Sequence, residues 1–142
     1  MNNLTIKNCK KEDIRQCAKI ARTPELMLPG KIYPDEKYFR KVLASDSLFL
    51  IAKDGKKVLG FLIAHNIIGM SSFLDTLAVS REIRGKGIGK MLMAEYERLV
   101  KIKRIHYIFL FALNTNENTL RFYEKNDFES SKHDYKMYSK SI

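Results

Sequence analysis

The chain has 142 residues, 45% of them apolar, and its 26 basic against 16 acidic residues leave a net charge of +10. That length and apolar share fit one domain over residues 1–142 with a real core and exclude a disordered chain, while the positive balance suits an anionic partner or a well-solvated surface. Cys9 and Cys17 lack metal-ligand spacing, no apolar leader opens the chain, and residues 58–74 are interrupted by His65, Asn66, Gly69, Ser71 and Ser72, so the expectation is a cytoplasmic protein with structural thiols, no metal and no membrane span.

In chain order, Leu4-Thr5-Ile6-Lys7 alternates as an edge strand does, and a helix opens near Lys11 with Ile14, Cys17, Ala18 and Ala21 at helical spacing. Residues 23–34 hold Pro24, Pro29, Gly30 and Pro34 beside Met27, Leu28 and Tyr33, which reads as an apolar loop before a second helix over 35–44. The runs 47–53 and 57–68 are β-rich and meet at Asp54-Gly55, a hairpin signal. A further turn at Gly69-Met70-Ser71 leads into a strand over 72–79. A helix over 87–101 carries Ile88, Leu92, Tyr96 and Leu99 as its apolar stripe. Residues 105–113 form a nearly continuous apolar run, the pattern of a central strand, followed by a short helix over 118–125 and a last extended stretch over 128–138. The order is β-α-α-β-β-β-α-β-α-β-β, an α/β fold with a mixed sheet flanked by helices. No internal repeat is present.

The junction between the strand at 72–79 and the helix at 87–101 reads Arg84-Gly85-Lys86-Gly87-Ile88-Gly89-Lys90. Glycines let main chain turn tightly and approach a ligand, and the first N–H groups of a helix point outward at its positive dipole end, so the junction is an anion site suited to a diphosphate. A P-loop is excluded, because Arg84 stands where its first glycine belongs and Met91 stands where its hydroxyl belongs. A dinucleotide loop is excluded too, because Gly85, Gly87 and Gly89 run Gly-x-Gly-x-Gly, one residue short at the last step.

What remains, Arg-x-x-Gly-x-Gly after Leu77-Ala78-Val79, resembles the coenzyme A loop of the GNAT family of N-acetyltransferases. A second motif, Asn116-Glu117-Asn118-Thr119-Leu120-Arg121-Phe122-Tyr123-Glu124-Lys125-Asn126-Asp127-Phe128, is similar to that family's Asn-x-x-Ala-x-x-Phe-Tyr-Glu-Lys-x-Gly-Phe. Thr119 replaces the small alanine and Asp127 replaces the glycine; Asp tolerates left-handed backbone angles, so the turn is expected to survive. The resemblance implies a GNAT-like fold with splayed central strands, the splay lying between the strand at 72–79 and residues 109–113. It implies acetyl-coenzyme A as co-substrate, a primary amine as acceptor and a frequent tendency to form homodimers. It also implies that Leu77, Ala78 and Val79 lie along the pantetheine arm, with Arg84, Gly85, Lys86, Gly87, Ile88, Gly89 and Lys90 around the pyrophosphate. Asn116 would contact the cofactor and Tyr123 would be the general acid for the departing thiolate.

Catalysis also needs a base and an oxyanion donor, because an amine of pKa ~10 is protonated at neutral pH. Asp75, a carboxylate in an otherwise apolar strand, is the candidate base, alone or through a water; N–H groups near Val79 are the candidate donors. His65, His106 and His133 stand isolated and read as surface or core histidines. No nucleophile motif points to a covalent acyl-enzyme, so direct transfer is expected. The acceptor side is expected to draw on residues 23–33 and 130–138, with Met27, Leu28, Tyr33, Tyr135 and Tyr138 against only Glu25 and Asp134 as acids, a lining for a partly apolar amine. Competing readings are a non-catalytic coenzyme A-binding regulator and a ribosome- or nucleic-acid-associated protein, the latter motivated by the +10 charge and the basic cluster at 101–104.

Overall fold

The structure is a computed structural model describing residues 1–142 except Asn2, Leu28, Pro29, Ile68, Asp134, Tyr135, Met137 and Ser141, and except the side chain of Ile67. The predicted acceptor-side residues Leu28, Asp134 and Tyr135 therefore lie outside the described residues. The chain divides into two compact units, Met1–Leu110 and Phe111–Ile142.

The first unit is a five-stranded sheet in the order β1-β2-β3-β4-β5, with β1 Leu4–Asn8, β2 Leu48–Asp54, β3 Lys57–Ile67, β4 Ser71–Val79 and β5 Tyr107–Phe109. The first four pair antiparallel and β5 joins β4 in parallel. Asp54 pairs with Lys57 across the two-residue turn Gly55-Lys56, whose Gly55 has φ 58°; glycine takes the first central position of the turn, one residue later than the Asp-Gly signal places it. Helices α1 (Ile14–Ile20), α2 (Glu36–Ala44) and α3 (Ile88–Ile102) cover the sheet.

The two faces of the sheet are filled by opposite parities of the strands. On one face Phe49, Ile51, Val58, Phe61 and Ile63 meet Ile14 and Cys17 of α1 and Phe39 and Val42 of α2. The rings of Phe39, Phe49 and Phe61 stand 5.3–6.0 Å apart in tilted and edge-on arrangements, pairs that contribute about 0.5–1.5 kcal/mol each beyond their burial. α3 buries Ile88, Leu92, Met93, Tyr96 and Val100; Ile88, Leu92 and Tyr96 were read from the sequence, while Val100 rather than the half-buried Leu99 closes the stripe. The Tyr96 hydroxyl donates to Ser72 Oγ at 2.6 Å, fastening α3 to β4 while satisfying a buried polar atom.

α1 is anchored by polar groups that the apolar pattern does not announce. Asp13 is 1% exposed; its carboxylate pairs with Lys53 of β2 and accepts the Lys10 N–H at 3.0 Å. Gln16 bridges α1 to the β2–β3 hairpin, accepting from Val58 N and donating to Lys56 O. Cys9 and Cys17 are buried free thiols, and a hydrogen bond with Cys9 together with burial pushes the Cys17 thiol upward, so it stays protonated.

The second unit contains α4, Glu117–Glu124. Asp127 follows it at φ 64°, the left-handed position expected of a residue standing where the motif carries glycine. Among the described residues the expected strand over 105–113 pairs as Tyr107–Phe109 and no strand follows α4; Asp134, Tyr135 and Met137 of the expected stretch over 128–138 lie outside the described residues. Beyond Phe109, Phe111 and Leu113 are 76% and 66% exposed.

Candidate active site

The glycine-rich junction has the geometry of an anion cradle. After a short turn over Arg81–Ile83, Gly85 has φ 79° and Gly87, the residue that caps α3, has φ 81°, left-handed values that cost a side-chain-bearing residue about 1–2 kcal/mol. A Cβ at either position would meet nothing within 4 Å, so the space beside the loop is open. Met91 N is the first to bond back into the helix, to Gly87 O at 3.0 Å. Among the described residues the N–H groups of Gly85, Lys86, Gly87, Ile88, Gly89 and Lys90 have no acceptor. They stand at the positive end of a 15-residue helix, with the Lys86 and Lys90 side chains exposed beside them. Ile88 contributes only its N–H here, since its side chain is 1% exposed in the core.

The strand feeding this loop offers an edge. Ser80 N bonds Leu59 O of β3 at 2.8 Å, which turns the preceding carbonyl, that of Val79, away from β3. That carbonyl accepts from Arg84 Nε at 3.2 Å. By the alternation of a strand the Val79 N–H and the Leu77 carbonyl share that outward edge. The ladder to β5 ends at Phe73↔Phe109 while β4 runs on to Val79, which is the splay the sequence implied. Ala78 does not share the edge: its side chain is in the core, and its carbonyl would lie 2.7 Å from a Cβ placed on Gly60. Gly60, unnoticed in the sequence, is therefore the residue that lets β3 approach β4 so closely.

Asp75 sits at a bulge. The β3–β4 register steps from Ala64↔Leu74 to Ile63↔Thr76, leaving Asp75 as the extra residue. In a regular strand Asp75 would share a face with Leu77 and Val79; the bulge gives it the face of Thr76 and Ala78 instead. Asp75 and Thr76 consequently both line a cavity of about 190 Å³ on the α1–α2 side, together with Ala21, Glu25, Leu26, Met27, Pro34, Tyr38, Phe39 and Phe61. The expected contributions of Met27 and Glu25 are thus present in this cavity, and Tyr38 joins them from α2, whose first turn is set by Asp35 Oδ1 accepting the Tyr38 N–H at 2.8 Å. Burial and the negative charge of Asp75 push the Tyr38 hydroxyl upward, so it is a donor at neutral pH. Hydrogen bonds from its own backbone N–H and the Thr23 hydroxyl hold Glu25 below the usual carboxylate range, and Arg84 and Arg81 add to this.

His65 is a residue that sequence reasoning set aside. Its Nε2 lies 2.9 Å from Asp75 Oδ2 and its Nδ1 lies 2.7 Å from Ser47 Oγ. The signal was available in the hairpin count: a turn at 68–70 pairs His65 with Phe73, placing Asp75 diagonally across on the same face.

In the second unit, Asn116 caps α4, its side-chain oxygen accepting Thr119 N at 3.2 Å. That occupies the carbonyl end of the amide and leaves its NH₂ without a partner among the described residues. Tyr123 stacks edge-on with Phe122 and Phe128, at 5.3 and 5.5 Å. Burial pushes its hydroxyl up to about 12, and among the described residues that hydroxyl makes no hydrogen bond.

No cluster of three metal-ligating side chains occurs among the described residues, and none of the described helices is long and apolar enough to cross a membrane. Residues 14–128 match the model of the acetyltransferase (GNAT) family. An acetyltransferase of Photorhabdus laumondii is 24% identical over 139 residues, covering 98% of this chain and 96% of that one. Among solved structures, the PaiA N-acetyltransferase of Thermoplasma acidophilum, in complex with coenzyme A, superposes with a TM-score of 0.79 at 24% identity over 93% of each chain. An aminoglycoside acetyltransferase from an uncultured soil metagenomic sample gives 0.81 at 19% identity over 99% of this chain and 98% of its own. With the family match spanning most of its length, from α1 through Phe128, the chain belongs to the GNAT acetyltransferase family.

Proposed function

We propose that the protein is an N-acetyltransferase that moves an acetyl group directly from acetyl-coenzyme A to a primary amine, residues 1–142 acting as one domain. The observation that carries this reading is the run of unpartnered N–H groups from Gly85 to Lys90 at the head of α3, in a chain of the acetyltransferase family. Six donors and two flanking lysines suit a diphosphate, and the outward edge at Leu77 suits an amide of a pantetheine arm that runs on past Val79. The coenzyme A held by the Thermoplasma protein of the same fold supports the same reading.

Acetyl-coenzyme A supplies a thioester-activated acetyl group; the protein supplies proton transfers, charge stabilisation and placement. Asp75 takes a proton from the incoming ammonium, directly or through a water, freeing the lone pair that attacks the carbonyl carbon. The Val79 N–H faces the negative charge that develops on the carbonyl oxygen, its own carbonyl being already held by Arg84. Tyr123, protonated at neutral pH because burial raises it, gives its proton to the leaving sulfur as the C–S bond breaks. Holding both partners in line accounts for much of the remaining rate.

The acceptor is an amine with a compact apolar body. The cavity beside Asp75 is walled by Leu26, Met27, Phe39 and Phe61, and its charged groups, Glu25 and Asp75, are both acidic. This favours a cation with an apolar end over a substrate carrying its own carboxylate.

Calorimetry with coenzyme A and a thiol-release assay across alkylamines, arylalkylamines, polyamines, amino acids and aminoglycosides test the reading together. Binding and turnover of a simple arylalkylamine are expected; no heat of association with coenzyme A or its acetyl form overturns it. Tyr123→Phe is expected to lower turnover while leaving coenzyme A affinity intact, whereas a chain that only senses coenzyme A turns nothing over before or after the change.

A further inference from the structure

We propose that His65 is the positioning residue for Asp75, held in its working orientation by Ser47, so that one carboxylate oxygen is tied down and the other is presented to the acceptor amine. The inference rests on the reading of Asp75 as the base.

The geometry is a line of hydrogen bonds reaching from the end of α2 to the bulge. Ser45 Oγ lies 2.7 Å from Val42 O and 2.8 Å from Ser47 Oγ; Ser47 Oγ lies 2.7 Å from His65 Nδ1, and His65 Nε2 lies 2.9 Å from Asp75 Oδ2. A carboxylate only accepts, so Nε2 carries the proton in this contact. With the imidazole neutral, Nδ1 is then the acceptor and Ser47 the donor, while the single Ser45 proton goes either to Val42 O or to Ser47 Oγ. The Phe73 ring stacks on the imidazole at 6.3 Å with 28° between planes, so the ring plane is set from a third direction.

The bulge needs such a partner. A residue extruded from the ladder has lost the neighbours that fix its side chain, and Asp75 is 33% exposed. The His65 contact occupies Oδ2, while Oδ1 has no partner among the described residues and Asp75 lines the cavity. Among the described residues the Tyr38 hydroxyl also feels the charge of Asp75. An ammonium donating to Oδ1 would therefore meet an oxygen whose direction is set by a bond on the far side, the arrangement that keeps nitrogen in line for attack.

Two measurements separate this role from simple support of the fold. In turnover with a saturable amine acceptor, His65→Phe is expected to lower kcat by about 10- to 100-fold, the scale of a misplacement near 1 Å, with the acceptor KM moving less than about threefold. His65→Gln, whose amide nitrogen can reach Asp75 as a donor, recovers most of that loss, and Ser47→Ala costs a few-fold. In ¹⁵N imidazole NMR on the full chain, independent of turnover, His65 is expected as the Nε2–H tautomer, with that proton exchanging faster in Asp75→Asn. An unchanged kcat in His65→Phe overturns the proposal, as does a loss that His65→Gln fails to recover while the melting temperature falls in parallel. A ring proton that ignores Asp75→Asn overturns it as well. A chain that binds no coenzyme A but keeps the Nε2–H signature refutes the acetyltransferase reading while leaving the His65–Asp75 contact standing.

Discussion

The proposed anion cradle and the proposed acceptor-side cavity are made from different materials. The cradle at Arg84–Lys90 is main chain: its donors are consecutive N–H groups, and its shape comes from two left-handed glycines. The cavity around Asp75 is side chain: its walls come from α1, the loop at 24–27, α2, β3 and β4, held in place by a bulge and by polar anchors. A surface built from contiguous main chain is insensitive to what happens elsewhere in the sheet. One assembled from distant side chains depends on register and docking, and the two regions should fail independently.

Asp75→Asn should divide them most sharply. It removes the proposed base while keeping shape, so kcat is expected to fall by about 10²- to 10⁴-fold with coenzyme A affinity unchanged by calorimetry. A parallel loss of coenzyme A affinity would mean that the two regions are not separate.

Lys53→Met attacks the docking of α1. It strands the Asp13 carboxylate, 1% exposed, with the Lys10 N–H as its one remaining partner among the described residues, and breaking one side of such a pair costs about 3–5 kcal/mol, readable by denaturant unfolding. The pH dependence has a definite sign. The bond from Asp13 raises Lys53 in the fold, so the stabilisation is fully present below the unfolded lysine value of about 10.4 and is lost as pH climbs through the raised folded value. This alkaline loss should vanish in Lys53→Met.

Gly87→Val tests the cradle. A β-branched residue at φ 81° resists the left-handed conformation by about 1–2 kcal/mol, and distortion of the donors should weaken coenzyme A binding by about tenfold. The cavity's own chemistry, read as the acceptor KM, should stay within a few-fold. Smallest is Asp35→Ala, which removes the cap that sets the first turn of α2. A loss of about 1 kcal/mol in stability is expected, with a modest rise in acceptor KM because Tyr38 loses its fixed start, and no effect on coenzyme A.

The same division explains what could be read in advance. The cradle was legible because all of its parts lie within seven residues and each has a local reason: glycine for positive φ, a helix start for free N–H groups. The Asp54-Gly55 hairpin and the left-handed Asp127 were legible for that reason too. His65 was missed because its chemistry depends on a residue ten positions away on a neighbouring strand, and Gly60 because its use is a close approach to Ala78 and Val79. The C-terminal strands were legible only in part, the expected stretch over 128–138 including Asp134, Tyr135 and Met137, which lie outside the described residues. Residues 105–113 have strand composition, and among the described residues Tyr107–Phe109 is the part that pairs; nothing local to an apolar run says where a neighbour will complete it.

Order of elements through α4, amphipathic faces and the glycine junction follow from the amino acids alone, since backbone preference and hydrophobic periodicity act over a few residues at a time. Which way Asp75 points, what holds it and which side chains share its cavity follow from a one-residue slip in the β3–β4 ladder. A slip of that kind reverses every later side chain on the strand, and it is set by packing on both faces of the sheet at once, which no stretch of sequence encodes by itself.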